Sequence, residues 1–354
     1  MKKRSRACAA HWASWLGVAA LAACTTLATV HPATDGIAHG LPLPAANSGV
    51  TTVSVARDGS LWFTESTGNR IGHMRADGSG YQGFALPHPN SSPRIIAFGG
   101  DGNIWFSEHT GNRIGRLTPA GMLTEFDIPT PASQPRAIAL GADGNIWFGE
   151  FAGGKVGRIT QQGVITEFAL PTPDSGPRAL AAGPDGNIWV SEFRAGKLAR
   201  ITPRGAITEF TLPRPNSGPG DITAGVDGAM WFVELSGSMD GLQPDGGRVA
   251  RITMNGVVTE YELPSKTPSA VNIAIGPDRN AWYTRGALVG ARDCGWKDHR
   301  VSTRRGHAWR GPFRRQRSPA ADAAGGSPLC RRWRRQSHRL VRVQATSKLG
   351  GAAG

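Results

Sequence analysis

Cysteine is scarce in this chain of 354 residues, and the four present, Cys8, Cys24, Cys294 and Cys330, all lie toward the ends. The long middle has none, which excludes a disulfide framework or a thiolate metal site there. Helical periodicity is absent from that middle as well, so no helical domain is expected in it. Acidic residues nearly vanish from the end of the chain. From Arg285 onward 17 Lys/Arg face 3 Asp/Glu, leaving 23 against 23 upstream. The net charge of +14 and the pI near 10.6 therefore belong to the last 70 residues, while the body is neutral and lacks the electrostatic footprint of a nucleic-acid binder.

A long apolar run is missing too. Trp15 to Ala23 is too short to cross a bilayer. With Lys2, Lys3, Arg4 and Arg6 ahead of it and Leu21-Ala-Ala-Cys24 behind, it reads as an export signal over 1–24. The Leu-Ala-Ala-Cys sequence resembles a bacterial lipoprotein box, which implies lipid on the Cys24 thiol and a protein held at the cell-envelope or periplasmic face of a membrane; the alternative is ordinary secretion. Residues 25–35 then form a tether.

What the chain has in abundance is one phrase. Asp185-Gly-Asn-Ile-Trp-Val-Ser-Glu192 is repeated at 58–65, 101–108, 143–150 and 227–234, and in degraded form at 278–285. The tryptophans, Trp62, Trp105, Trp147, Trp189, Trp231 and Trp282, are spaced by 43, 42, 42, 42 and 51 residues. A fixed period in this range marks a repeat architecture. Each unit divides into four runs of 5–7 residues that alternate apolar and polar and close on Gly, Pro, Asp or Asn. Four short strands per period describe a β-propeller blade, so an all-β fold is expected over 36–286. The Trp should pack between blades. The Glu that ends each phrase (Glu65, Glu108, Glu150, Glu192, Glu234) should satisfy a turn or an arginine. His39, His73, His88 and His109 should lie at turns or blade edges, as surface residues. Residues 238–246 insert into the fifth blade. Residues 37–44 resemble a lone fourth strand that would complete the last blade and remove its free edge.

The phrases Asp-Gly-Asn-Ile-Trp-Phe-(Ser/Gly)-Glu, Gly-Asn-Arg-Ile-Gly-Arg-Leu-Thr and Ile-Thr-Glu-Phe-Ala-Leu-Pro-Thr-Pro resemble those of the virginiamycin B lyases, or streptogramin lyases, over roughly 36–284. The resemblance implies a seven-bladed propeller that opens the ester of type B streptogramins by elimination, with Mg²⁺ and a histidine base. It places the family's functional residues one position after the Pro of each innermost strand. Here those positions hold Thr51, Arg94, Arg136, Arg178, Gly220 and Val271. Thr51 stands where the family has a substrate-contacting Tyr, and Val271 where it has a His. The catalytic Pro-His-Gly and the metal-binding Glu belong to a seventh blade. Only five to six blades are spelled here, so neither a catalytic residue nor an Mg²⁺ site can be carried over, and inactivity is expected.

The pattern stops at Arg285. Residues 287–354 are basic, with Arg331-Arg-Trp-Arg-Arg335, no strand alternation and no repeat; they are expected to be disordered. Read one base later, codons for 290–303 can spell Gly-Arg-Val-Thr-Ala-Asp-Gly-Lys-Ile-Thr-Glu-Phe-Pro-Leu, the missing half-blade. In that frame 327–337 permits Pro-His-x-Ala-Val-Gly-Gly-Asp-Gly-Asn-Leu. A frameshifted lyase gene is one reading of the tail; a nucleic-acid arm is another, and export argues against it. The functional alternative to a lyase is a membrane-tethered, non-catalytic propeller, a monomer. Its Arg94, Arg136 and Arg178 would face one mouth of the central channel and hold a small anionic ligand, unless each pairs with a neighbouring acid.

Overall fold

Residues 177–211 show how one repeat folds. In the computed structural model the strands Pro177–Ala182, Ile188–Glu192, Lys197–Ile201 and Ile207–Thr211 form one antiparallel sheet in chain order. Asp185-Gly-Asn builds the first turn. Asp185 Oδ1 accepts the Asn187 backbone N–H at 3.2 Å, and Gly186 sits at φ +77°, a conformation costly to any residue with a Cβ. Asp185 Oδ1 also accepts the Trp189 indole N–H at 3.2 Å, so the phrase fixes the turn and the ring together. The second strand is buried at every residue and the fourth is half exposed, because inner strands lie between neighbouring sheets and the outer one forms the rim.

The structure describes residues 39–302, except 42, 45–47, 215, 236–246, 264–269, 277–278, 286–287 and 293–297, together with Val341–Val343. Six such sheets follow one another, spanning 50–85, 93–127, 135–169, 177–211, 219–262 and 272–302. The first strands of successive sheets lie side by side, which is the arrangement of propeller blades around an axis. Among the described residues there is no helix, and none long and apolar enough to cross a membrane.

Between blades the repeated residues become cross-links. Trp147 stacks on Phe168 at 5.4 Å and packs with Leu180, Ile188 and Val190 of the next sheet, as expected for the Trp. Arg158 lies over both rings at 5.6 and 5.5 Å and donates to the Pro203 carbonyl of the next sheet at 2.8 Å. Arg116 and Arg200 do the same to Gln161 and Met254. A second link explains Leu-Pro-Thr-Pro. Thr172 N–H and Oγ1 both donate to the Glu209 carboxylate of the next sheet at 2.8 Å, and Lys197 Nζ closes the group at 2.6 Å. Thr130, Glu167 and Lys155 repeat it one sheet earlier. His88 takes the threonine's place against Glu125, and Arg214 takes it against Glu260.

Both ends of the array differ from expectation. Strands Leu288–Arg292 and Asp298–Ser302 complete the sixth sheet, so strand structure continues past the boundary at 286 into the basic segment. The open edge of Ala281–Arg285 offers unpaired backbone groups, and the residues that follow in the chain take them up. Since the sixth sheet then has its own fourth strand, the N-terminal segment does not complete it. His39–Leu41 pairs in parallel with Val341–Val343 instead, and Leu41 packs against Leu61, Phe63 and Met74 of the first sheet. The signal at 1–24, Cys24, the tether at 25–35, the insertion at 238–246 and the rest of the basic segment lie outside the described residues.

Candidate functional site

The residue after each innermost proline falls in a β-bulge. Pro93 pairs with Glu108 and Ile96 with Phe106, so Arg94 and Ile95 share one partner residue; Arg136 and Arg178 lie in the same irregularity, as do Thr51 and Gly220. A bulge re-aims a side chain and ends regular pairing. Three arginines, a threonine and a glycine therefore come to equivalent places at one end of the array, and Val271 lies just ahead of its strand Asn272–Ile275.

They do not all serve one group. Thr51 Oγ1 donates to Ser66 Oγ at 3.0 Å within the first sheet. The Arg94 carbonyl accepts from Thr52 and Thr64 hydroxyls at 2.8 and 2.9 Å, which ties its bulge to the first sheet. The Arg136 guanidinium lies over Phe151 at 5.4 Å and that of Arg178 over Phe193 at 5.1 Å. Arg194 also covers Phe151, at 4.5 Å. Phe151, Phe193 and Leu235 form one buried cluster, with Val271 packed against it. The row of arginines stops at Gly220 for a steric reason: a Cβ there would meet Val233 and Leu235 side chains at 2.9 and 3.0 Å. The fifth bulge uses the next residue instead. Buried Asp221 accepts the backbone N–H groups of Ile222 and, in the sixth sheet, Ile273, both at 3.0 Å.

His109 was expected at a turn or blade edge on the surface, and it does lie in a turn. It is half-buried where the second and third sheets meet. Its N–H donates to the Ser92 carbonyl at 3.1 Å, and its Nδ1 lies 3.3 Å from the Pro135 carbonyl. Burial, then the charges of Arg94 and Arg136, hold its pKa below the ordinary 6.5.

The recurring glutamates meet the expectation in the first two sheets and depart from it in the next two. Glu65 does meet an arginine, accepting from Arg70 at 2.9 Å, and it accepts from Tyr81 at 2.7 Å; burial and this carboxylate push the Tyr81 phenol up to about 12. In the second sheet Arg113 stays within 3.9 Å of Glu108, but in the third and fourth sheets the cation at the matching position turns away. Lys155 pairs with Glu167 and Lys197 with Glu209, and no hydrogen bond reaches the fully buried Glu192 carboxylate among the described residues. Burial pushes Glu108 and Glu150 up to about 7, and Glu192 up to about 8.

The model of the virginiamycin B lyase family matches residues 36–290. The chain belongs to the virginiamycin B lyase family. A crystal structure of virginiamycin B lyase from Staphylococcus aureus is 38% identical over 69% of this chain and 80% of that one, with a TM-score of 0.64. A streptogramin B lyase structure is 31% identical over 75% and 87%, with a TM-score of 0.70. A catalytically inactive histidine-to-alanine variant of the S. aureus virginiamycin B lyase, solved with quinupristin, is 31% identical over 77% and 87%, with a TM-score of 0.66. No curated protein matches the chain.

Against that family, the Mg²⁺ ion implied by resemblance does not fit the row of positions described here. A hard divalent cation is held by carboxylate and other oxygen ligands. The bulge positions instead hold three arginines, a threonine and a glycine, Val271 completes the row, and the nearby Asp221 carboxylate is committed to two backbone N–H groups. No group of three or more His, Cys, Asp or Glu suited to a metal occurs among the described residues.

Proposed function

We propose that this member of the virginiamycin B lyase family holds a small anionic molecule at the mouth of its channel and does not carry out elimination. The observation that carries the reading is the placement of Arg94, Arg136 and Arg178 in equivalent bulges of three consecutive sheets. Aromatic rings lie beneath two of the guanidiniums, and stacking on a ring helps to orient a guanidinium. Elimination needs a base at the proton α to the ester carbonyl and an electrophile on the carbonyl oxygen. His109 is the one imidazole placed at this row among the described residues, and it is flanked by cations rather than by carboxylates that would hold a metal. In this reading the chain is a monomer tethered to a membrane through lipid on Cys24, with no nucleic-acid partner.

The family match ends at residue 290, five residues after the repeat phrase fails at Arg285, which supports a change of reading frame there. Sequencing the locus checks it: nucleotides from 290 to 303 should spell the missing half-blade one base later, and nucleotides that do not would exclude the frameshift.

Activity is checked by incubating the purified chain with quinupristin and Mg²⁺ and weighing the product. The depsipeptide is expected to remain cyclic, and a linear product would overturn the reading. Arg178→Ala is expected to weaken binding of a small carboxylate by about tenfold or more, since a charge-assisted hydrogen bond contributes roughly 1.5–3 kcal/mol. Unchanged affinity would show that the arginines serve only the fold.

A further inference from the structure

We infer that the end of the propeller opposite the bulge row is a docking face for the lipid surface of the membrane that holds the chain. This depends on the tether in the reading above and adds an orientation to it. Among the described residues, five large apolar side chains are well exposed, from 39% to 70%: Val55, Met122, Val164, Val226 and Val257. All five lie at one end. In the second sheet Pro93, Glu108, Arg113 and Asp127 share one end, and Phe98, Ile104, Leu117 and Leu123 share the other. Met122 immediately precedes Leu123. Val164 and Val257 hold the same place before Ile165 and Val258. Val55 ends the first strand of the first sheet, and Val226 follows the first strand of the fifth. At the end that carries Arg94, Arg136 and Arg178, no described apolar side chain of this size is as exposed.

Turn chemistry does not call for these residues, since tight turns favour glycine and short polar side chains. The glycine ahead of three of them fixes the turn. A Cβ on Gly121, Gly163 or Gly256 would fall 3.1, 2.2 or 2.7 Å from the ring of Phe84, Phe126 or Phe210 in the preceding sheet. Each turn is thus pressed against its neighbour, and Met122, Val164 and Val257 are held out to solvent. The five side chains are carried by four different sheets. A deformable lipid interface accommodates such separate points, whereas a protein partner needs a packed apolar core. Exposed charges at this end are of both signs, Arg57 with Asp58 and Arg75 with Asp77, so apolar contact rather than net charge is the attraction.

The place where the chain enters the propeller selects lipid as the occupant. Leu41 and Leu43 pack against Leu61, Phe63 and Met74 of the first sheet. Gly78 lies in the turn after Met74, and a Cβ there would fall 3.2 Å from the Leu41 side chain. Met74 faces Leu61, which faces Val55, so Leu41 lies at the apolar end. By Val50, opposite Glu65, the chain has crossed to the other end. The chain from Cys24 therefore arrives at the apolar end. Residues 25–38 separate Cys24 from His39, and a chain of that length reaches about 50 Å at most. A lipid on Cys24 then keeps this end nearest the bilayer, and the end with the arginines is turned away from it.

The test uses the full chain carrying Cys24→Ser, which cannot take a lipid, and vesicles of neutral phosphatidylcholine, which do not attract the basic residues after Arg285. The chain should co-sediment with the vesicles, and equally well in high salt. Met122→Asp, Val164→Asp and Val257→Asp combined should weaken binding by about tenfold or more, the order expected when three partly buried apolar side chains are lost from the contact. The melting temperature should not fall. Val164→Trp, which adds apolar surface, should tighten binding severalfold. No binding by the Cys24→Ser chain, or equal binding by the triple variant, would overturn the docking face. Binding that needs anionic lipid and is lost in salt would belong to the basic segment and would overturn it too. Self-association abolished by the triple variant, without vesicle binding, would assign the face to a second copy of the chain and overturn it as well. The tether is tested separately by the mass of the mature chain carrying its native Cys24. A mass without lipid would overturn the tether and leave the docking face to stand on the vesicle result alone.

Discussion

Glu192→Gln is expected to raise the melting temperature at about pH 9 by roughly 5–10 °C, and to leave it nearly unchanged at about pH 4.5. The sign follows from the direction in which burial moves the carboxyl. Burial raises the folded-state pKa of Glu192 from 4.5 to about 8. Below 4.5 the carboxyl is neutral in both folded and unfolded chains. As pH rises, the unfolded chain ionises first, and stability falls until the folded carboxyl ionises near 8. A tenfold change in an ionisation constant corresponds to about 1.4 kcal/mol, so a cost of about 2–4 kcal/mol above pH 8 is the right order. Glutamine keeps the shape of the neutral acid and cannot ionise, so it removes that loss. Glu209, the next glutamate outward, should behave oppositely. Burial alone would raise its pKa, but hydrogen bonds from Lys197 and Thr172 outweigh it and lower the value. Its contribution is present above 4.5 and lost as pH falls. Thermal melts of wild type and Glu192→Gln across this range provide the measurement. A variant whose melting curve tracks wild type at every pH would mean that Glu192 is solvated or paired in solution.

The features legible in the sequence were those set by local chemistry. Asp-Gly-Asn specifies its turn through contacts within four residues, and alternation specifies the strands, so blades and their number could be counted. Arg94, Arg136, Arg178 and Gly220 were legible as a row because each follows a proline at fixed register, and the repeat extends the row to Thr51 and Val271. Their surroundings were not. That His109 sits against the carbonyls of Ser92 and Pro135, or that Phe151 carries two guanidiniums, depends on how one sheet sits against the next. The exchange of Lys155 and Lys197 from the phrase glutamate to the outer one is invisible for the same reason: both acids recur with the same period. Asp221 left a trace, an acid at a position where the other blades have Thr52, Ile95, Ala137 and Ala179. The partner of His39–Leu41 left none, because a three-residue strand carries too little pattern to name an edge.

Gly157→Ala is expected to destabilise the chain by about 1–3 kcal/mol, and Phe148→Val to relieve most of that loss when the two are combined. Phe148 and Gly157 face each other on adjacent strands, and a Cβ on Gly157 would fall 2.0 Å from the ring. Phe63 with Gly72 and Phe106 with Gly115 repeat the arrangement, at 2.2 and 2.1 Å. The fourth sheet solves the same packing differently: Val190 faces Ala199, exchanging ring volume for a methyl. The fifth sheet holds Phe232 against Ala250, both fully buried, and the reason it can lies one blade away. Phe232 packs beneath Ala179 and Ala181, whereas Phe148 packs beneath Ile95 and Ala97, so the ring in the third sheet has no room to move aside. Alone, Phe148→Val should cost about 1–3 kcal/mol through the space it leaves. The double variant recreates the pair of the fourth sheet and should lie closer to wild type than the two losses summed. Chemical denaturation of the two single variants and the double closes the cycle. Strictly additive losses would mean that the glycine is kept for its backbone and not for the ring above it.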